Sequence, residues 1–594
     1  MKQNKIKITH LFIFCLILFS IDFAQGKKPN ILFIFSDDQS YETLGALGDS
    51  EVSTPHIDSL ASAGIVFSHA YNMGAWRGAV CLASRAMLNS GRMLWKAEAL
   101  DEGSKMNEEV AAGRFWSEIM KSAGYRTYIT GKWHVKTSAP NTFNVTGTVR
   151  AGGMPKTKNS SYNRPLNVND PTDTWKPWDK TLGGYWAGGK HWSEVVADET
   201  IGFLEQASNR SEPFFIYAAF NAVHDPRQAP KSYVDKYPWD KIKVPDNFLP
   251  EYPYKDAIGN SSSLRDEKLA PFPRTRYSIQ VHRSEYFAIM EHMDDQIGRI
   301  FAKLKASGLD SNTYVIFTSD HGLAVGHHGF LGKQNMYDHS IRVPLFLSGP
   351  GIAKGSRVDK RVYLQDVMPT TLEIAGVSKP AYVEFNSLLP FVRDTLKKSN
   401  YQAVYGAYKD IQRMVLVGDY KLIHYPNASK KIRIYNLKDD PKELTDLAGS
   451  KKYSLLEKNL WDELMKLQTD LQDDFTLVYK PATVNMSEAG CMDDLYMEYK
   501  TSATILDISA CLTLKPLSIR EAFSLSKEMI ISNGQLKILG QGAYDLKVFD
   551  TKGNLLISKQ GKRGGIISMP KYSGVVIIRL SNFKGSFQKV ELLK

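Results

Sequence analysis

Cysteine is almost missing from this sequence, with four in 594 residues, at positions 15, 81, 491 and 511. That scarcity excludes a zinc site built on clustered thiolates. Long apolar runs are scarce too. "LFIFCLILF" (11–19) is too short to span a bilayer, and nothing later approaches the length of a transmembrane helix. An excess of one charge is absent from the main body. The net charge is +12, but residues 515–594 hold fourteen Lys and Arg against five Asp and Glu, and the first 26 residues add +2. About +1 remains for residues 27–514, so global charge gives no reason to expect nucleic acid or another polyanion as a partner. No low-complexity tract interrupts a chain that is 43% hydrophobic. Large cores can therefore be buried, and the length implies two to four folding units.

Residues 1–26 read as a signal peptide: Lys2, Lys5 and Lys7, then the apolar run, then the small residues "AQG" (24–26). An uncleaved anchor is the alternative. Export to an oxidising compartment makes Cys491 and Cys511, close together in one late segment, a candidate disulfide. Cys81 is then left over, in "AVCLASRAMLNSGR" (79–92). It is a buried small hydrophobe, half of a disulfide, or a residue placed for chemistry.

The body alternates short apolar runs with amphipathic stretches. "NILFIFS" (30–36), "YRTYIT" (125–130), "FFIYAAF" (214–220) and "TYVIFTS" (313–319) have the continuous apolar character of strands buried on both faces. Tyr286, Ile289, Met293, Ile297, Ile300 and Leu304 recur at helical steps and predict a helix over 284–306. Such alternation implies an α/β fold, a mostly parallel sheet sandwiched by helices. Two long insertions break the pattern: 136–190, rich in Gly, Pro, Asn and Trp, and 228–275, rich in Pro and Tyr. Trp175, Trp178, Trp186 and Trp192 argue for order in and beside the first. From about residue 400 the texture becomes that of antiparallel strands and a helix at 453–472. The expected division is 1–26 signal, 27–400 catalytic domain, 401–480 a smaller α+β subdomain, 481–525 linker and 526–594 a β-sandwich tail.

Each buried run of the body leads into polar groups: Asp37-Asp38, then Lys132 and His134, then Asn221 and His224, then Asp320-His321. Parallel α/β sheets bind ligands at the carboxyl ends of their strands. An Asp-Asp turn or a histidine after a strand is usually structural, but four strand ends agreeing is much harder to obtain by accident. Asp37, Asp38 and Asp320 supply hard oxygens that suit Ca²⁺ or Mg²⁺ better than zinc. Arg85, Lys132 and Lys333 offer positive charge to an oxyanion, and His134 and His224 can move protons near neutral pH. A divalent ion and three cations around a nucleophile fit transfer of a sulfuryl or phosphoryl group.

"CLASRAMLNSGR", together with "PNILFIFSDDQ", "GKWH", "TSDHG", "GFLGKQNMYDHSIRVPL" and "YNLKDDPKELTDL", resembles the type I sulfatases of the alkaline phosphatase-like superfamily, closest in style to the iduronate-2-sulfatase-like branch. The resemblance spans about residues 28–470. It implies that Cys81 is oxidised to formylglycine (3-oxoalanine), whose hydrate attacks sulfur. It also implies that Asp37, Asp38, Asp320 and His321 hold one calcium ion beside residue 81, with His321 where the wider family more often has Asn. Arg85 would steady the formylglycine and its metal, and Lys132, His134 and Lys333 would grip the sulfate. His224 would protonate the leaving alcohol, and His134 would later help restore the aldehyde. Ala83 stands where Pro is more usual, which favours a radical-SAM formylglycine-generating maturase over the copper-dependent type.

The tail, with "LKVFDTKGNLLISKQGKRGG" and "SGVVIIRLSNFKGSFQKVELLK", resembles the sorting domain of the type IX secretion machinery; a carbohydrate-binding sandwich is the alternative. Together these readings imply a secreted or surface-attached sulfatase, with a periplasmic location as the alternative. Its substrate would be a sulfated polysaccharide or oligosaccharide, by analogy a marine algal glycan, with ulvan ahead of carrageenan or fucoidan. Trp186, His191 and Arg227 are the expected sugar-binding residues, through ring stacking and pairing with a uronate or second sulfate. Two rivals stand: a formylglycine-dependent phosphodiesterase or phosphonate hydrolase, and an unmatured protein that binds sulfated glycans.

Overall fold

The computed structural model describes residues 27–477 apart from 49, 50, 158–161, 166 and 396, then 479, 481 and the backbone of seven strands between 529 and 593. The expected signal peptide, Cys491 and Cys511 lie outside the described residues. The body is built on β1 (Asn30–Ser36), β2 (Ile65–Tyr71), β3 (Gly74–Ala75), β4 (Arg126–Lys132), β5 (Val145–Arg150), β6 (Phe214–Ala219), β7 (Thr313–Ser319), β8 (Arg342–Val343), β9 (Leu345–Ser348) and β10 (Ser356–Tyr363). Nine of them form one sheet in the order β10-β2-β9-β7-β1-β6-β4-β5, with β8 beside β2. β7, β1, β6, β4 and β5 run parallel, whereas β9 is antiparallel to both of its neighbours.

β1 is central and wholly buried, which its continuous apolar sequence requires. Leu32 and Ile34 pack to one side with residues of α2 (Trp192–Ser208) and α3 (Arg276–Ala306). Ile31, Phe33 and Phe35 pack to the other with Ala86 and Leu88 of α1 (Val80–Ser90), and Phe33 meets Trp116 edge-on at 5.2 Å. The sheet is thus sandwiched by helices, and each such buried side chain contributes about 1.5–3 kcal/mol. α3 begins eight residues before the apolar period shows. Its first turns, capped by the Thr275 side chain accepting from Ser278 N, bury Ser278, Ile279, His282 and Arg283, the last paired to Glu51. The first insertion is not all loop, because Val145–Arg150 extends the sheet edge beside β4.

The second sheet is β14-β13-β12-β11-β3, where β11 is Ala403–Tyr408, β12 Gln412–Val417, β13 Tyr420–His424 and β14 Ile432–Asn436; α4 (Ser454–Asp470) packs on it. The two-residue β3 crosses from the catalytic unit to lie parallel to β11. A Cβ on Gly74 would stand 1.9 Å from the Ala407 carbonyl oxygen, so only glycine permits the approach. The helix carrying Cys81 therefore starts from a strand held by the second sheet. Buried Lys421 of that sheet reaches Asp338 (2.6 Å) and Glu443 (2.7 Å), tying down the segment that follows Lys333. In the tail, Met529–Ser532, Gln535–Ile538 and Ile566–Ser568 form one antiparallel sheet, and Tyr544–Asp550, Leu555–Gly561, Gly574–Asn582 and Gly585–Leu593 another. Among the described residues no helix is long and apolar enough to cross a membrane.

Candidate active site

The parallel strands deliver their following residues to one edge. β1 ends in Asp37 and Asp38, and the chain turns at Asp38 with φ 62°. His134, after β4, also has positive φ, at 50°. Left-handed backbone at two non-glycine residues costs about 1–3 kcal/mol each and is the kind of strain that gathers at functional sites. β7 supplies Asp320 and His321, whose position is fixed through the Asp320 carbonyl, which accepts from Asn72 Nδ2 (2.7 Å) and Ser84 Oγ (2.7 Å). One ligand atom each from Asp37, Asp38, Cys81, Asp320 and His321 lies within 4.8 Å of all the others, and all five residues are buried.

α1 brings Cys81 and Arg85 to the same edge. Every residue of α1 is buried, and the helix ends at left-handed Gly91. Cys81 Sγ lies 3.2 Å from His321 Nε2, 3.3 Å from Lys333 Nζ and 3.8 Å from Asp38 Oδ1. Among the described residues it is a free thiol. Arg85, fully buried, donates from Nε to Asp320 Oδ2 (2.9 Å) and from Nη1 to the Lys132 carbonyl (2.7 Å). Lys132 Nζ reaches Asp37 Oδ2 at 2.5 Å, and Lys333 Nζ bridges both Asp38 oxygens at 2.7 and 2.8 Å. His224 Nε2 stands 3.8 Å from Asp38 Oδ2, while its Nδ1 meets the Asp225 carbonyl at 2.6 Å.

The charges act on one another. Burial and the neighbouring Asp320 push Asp37 well above the usual carboxylate range. Burial alone would raise the Cys81 thiol, but Lys132, Lys333 and His321 pull it well below its ordinary value. Burial lowers His224 and His134. The buried Asp37 Oδ1 has no hydrogen bond and faces Arg85 Nη2 at 3.8 Å, beyond hydrogen-bond reach. His321 Nδ1 is bonded to the Gly322 carbonyl at 2.7 Å, which points Nε2 into the cluster. Three carboxylates with one imidazole fit a divalent ion.

Nine of the ten residues expected in the metal and catalytic roles have contacts within this network, and the tenth, His134, adjoins it beside the Cys81 thiol. The expected sugar-binding residues do not join them. Trp186 is 4% exposed, meets His191 edge-on at 4.8 Å and donates to the Pro177 carbonyl. His191 is fully buried, accepts from Ser193 N at the start of α2 and bonds the Gln228 carbonyl. Both are buried and fasten the insertion to the body. Arg227 is buried against Tyr286, with Nη1 3.2 Å from His282 Nδ1 and with Nε and Nη2 lacking hydrogen-bond partners among the described residues. Sequence reasoning missed Asn72, Ser84 and Tyr286, whose hydroxyl donates to the Asp38 carbonyl (2.7 Å). Of these, only Ser84 sits inside a recognisable motif.

Residues 29–377 match the family model described as Sulfatase, and residues 326–470 match that of the N-sulphoglucosamine sulphohydrolase C-terminal region. The chain is 24% identical over 520 residues to an N-acetylglucosamine-6-O-sulfatase of Bacteroides thetaiotaomicron, covering 76% of this chain and 88% of that one. It is 26% identical over 465 residues to an ulvan-active sulfatase of Formosa agariphila, covering 76% and 83%. Among solved structures, an enzyme complexed with its substrate D-glucosamine-2-N,6-O-disulfate shares the fold, with a TM-score of 0.58 and 23% identity over 75% of this chain and 99% of that one. The family model covers more than half of the chain, and the motifs it rests on converge on one charged edge: this protein belongs to the sulfatase family and is a sulfuric ester hydrolase.

Proposed function

We propose that this chain removes sulfate from a sulfated polysaccharide or its oligosaccharides, a marine algal glycan such as ulvan, with Cys81 as the precursor of formylglycine and Ca²⁺ on Asp37, Asp38, Asp320 and His321. The observation that carries the reading is the buried thiol of Cys81 beside that carboxylate cluster and two lysines. When bound and matured, the calcium and the hydrated aldehyde supply a polarised oxygen for attack on sulfur and a second oxygen for release of sulfate.

The chain's own residues do the rest. Lys132 and Lys333 neutralise sulfate charge as it builds, in a site from which water is largely excluded. Arg85 holds Asp320 and the Lys132 carbonyl in register. His224 stands across Asp38 from Cys81 and gives its proton to the departing sugar oxygen; Asp38 and Asp225 favour its charged form against burial. Arg227, whose Nε and Nη2 have no partner among the described residues, is the remaining candidate for a second anionic group on the sugar. Support for a glycan comes from the relatives named for glucosamine and ulvan sulfates. Maturation by a radical-SAM enzyme, export through type IX machinery and residence outside the cell complete the proposal, resting on Ala83 and on the terminal segments.

The test is mass spectrometry of the Cys81 peptide from the native host, together with hydrolysis of sulfate esters, phosphodiesters and phosphonates by the same preparation. Formylglycine with a preference for sulfate is expected. An unmodified thiol and no turnover would leave a glycan-binding protein instead, and a preference for phosphodiesters or phosphonates would move the assignment to that class.

A further inference from the structure

The first insertion passes close to both catalytic histidines at one bare point. β5 ends at Arg150 in register with Lys132, so the chain after it runs beside Trp133 and His134, and Trp133 N donates to the Arg150 carbonyl at 2.8 Å. Ala151, Gly152, Gly153 and Met154 follow. Asn221 pins this stretch, donating from Nδ2 to the Gly152 carbonyl (3.2 Å) while its Oδ1 accepts from Trp192 Nε1 (2.8 Å). Met154 packs into the core on the α2 and α3 side.

Neither glycine has the left-handed φ that would demand glycine. A Cβ on Gly152 would stand 3.6 Å from His134 Nε2, and one on Gly153 would stand 4.0 Å from His224 Cε1. Those are ordinary van der Waals separations. Backbone strain and overlap therefore both fail to explain why two adjacent residues lack side chains here. What the pair leaves free is the space over the two imidazoles. The alcohol leaving from sulfur must lie against His224 if that imidazole protonates it, so the sugar ring has to cross this space.

We propose that Gly152 and Gly153 form a side-chain-free wall of the leaving-group subsite, and that their bareness sets the size of alcohol the site admits. The inference rests on the sulfatase reading above and adds a specificity-determining element to it. A Cβ on Gly153 would have His224 Cε1 within 4 Å and no atom of the metal cluster, the thiol or the lysines.

Gly153→Leu and Gly152→Ala separate these claims when kcat and KM are measured on 4-nitrophenyl sulfate and on whichever digest of ulvan, carrageenan or fucoidan the wild type hydrolyses fastest, with thermal melting as the control for folding. Gly153→Leu should lower kcat/KM on the oligosaccharide at least tenfold, mainly through KM, and lower it by a clearly smaller factor on the small planar ester, at an unchanged melting temperature. Gly152→Ala should fall between it and the wild type. Equal losses on both esters, or no loss on the oligosaccharide, would overturn the wall. A matured wild type inactive on every sulfate ester would instead refute the sulfatase reading, and the wall with it.

Discussion

Arg85→Lys keeps the charge and removes the fork, and the structure sets what that costs. The guanidinium is fully buried, spans Asp320 Oδ2 at 2.9 Å and the Lys132 carbonyl at 2.7 Å, and lies 4.5 Å from the Phe35 ring centre. A lysine ammonium is a point donor on a flexible stem and reaches one of those acceptors, not both. If it keeps Asp320, the Lys132 carbonyl is left buried without a donor, at about 1–3 kcal/mol. If it keeps the carbonyl, a charge-assisted bond to Asp320 is lost, at about 1.5–3 kcal/mol. Loss of the planar contact with Phe35 adds about 0.5–2 kcal/mol. The expected destabilisation is thus about 1.5–5 kcal/mol, read by urea unfolding at unchanged m. Because the same fork aligns Lys132, kcat should also fall at least tenfold. An unfolding free energy within about 0.5 kcal/mol of wild type, the usual range for an indifferent surface change, would refute the claim that this fork braces the site.

Other consequences are as open to measurement. His224→Ala should cut turnover of a sugar sulfate by about 10²–10⁴-fold but slow 4-nitrophenyl sulfate far less, since its phenolate leaves without a proton; equal losses would remove His224 from the acid role. Trp186→Ala should cost stability, by about 3–5 kcal/mol as for a buried aromatic, and leave the oligosaccharide KM of the folded protein unchanged; a raised KM with intact stability would restore it as a sugar subsite. Burial pushes Asp366 up to about 7, whereas the unfolded chain ionises it near 3.9. Its contribution to stability is therefore complete below about pH 4 and is lost as the pH rises through 7. The melting temperature should fall more between pH 5 and 8 in the wild type than in Asp366→Asn, and parallel curves would contradict the shift.

Much of the site could be read from the chain because apolar runs announce buried parallel strands, and the residues after them must meet at one edge. Asp37, Asp38, Lys132, His134, His224, Asp320 and His321 were legible in that way. Arg85 and Lys333 were not, because a helix buried all round shows no amphipathic period and Lys333 follows no strand; their charge and the motif resemblance pointed to them. Strand order is equally silent, and nothing in "PLFLSGP" says that β9 lies antiparallel between β2 and β7. Composition shows that aromatics abound in the first insertion, but not that Trp186 and His191 are turned inward. The pinning bonds from Asn72, Ser84 and Tyr286 depend on backbone carbonyls, whose positions only the folded chain reveals.

The central claim is that residue 81 is a precursor and that its modified form turns over. A hydrated aldehyde there has one oxygen to attack sulfur and another with which to expel sulfate, whereas a serine hydroxyl has only the first. The decisive measurement is sulfate released per molecule by Cys81→Ser, shown by mass spectrometry to carry plain serine, against matured wild type under the same conditions. The account predicts a folded variant that releases sulfate at no measurable steady rate and retains at most one sulfate per chain. Sustained multiple turnover by that unmodified serine would contradict it.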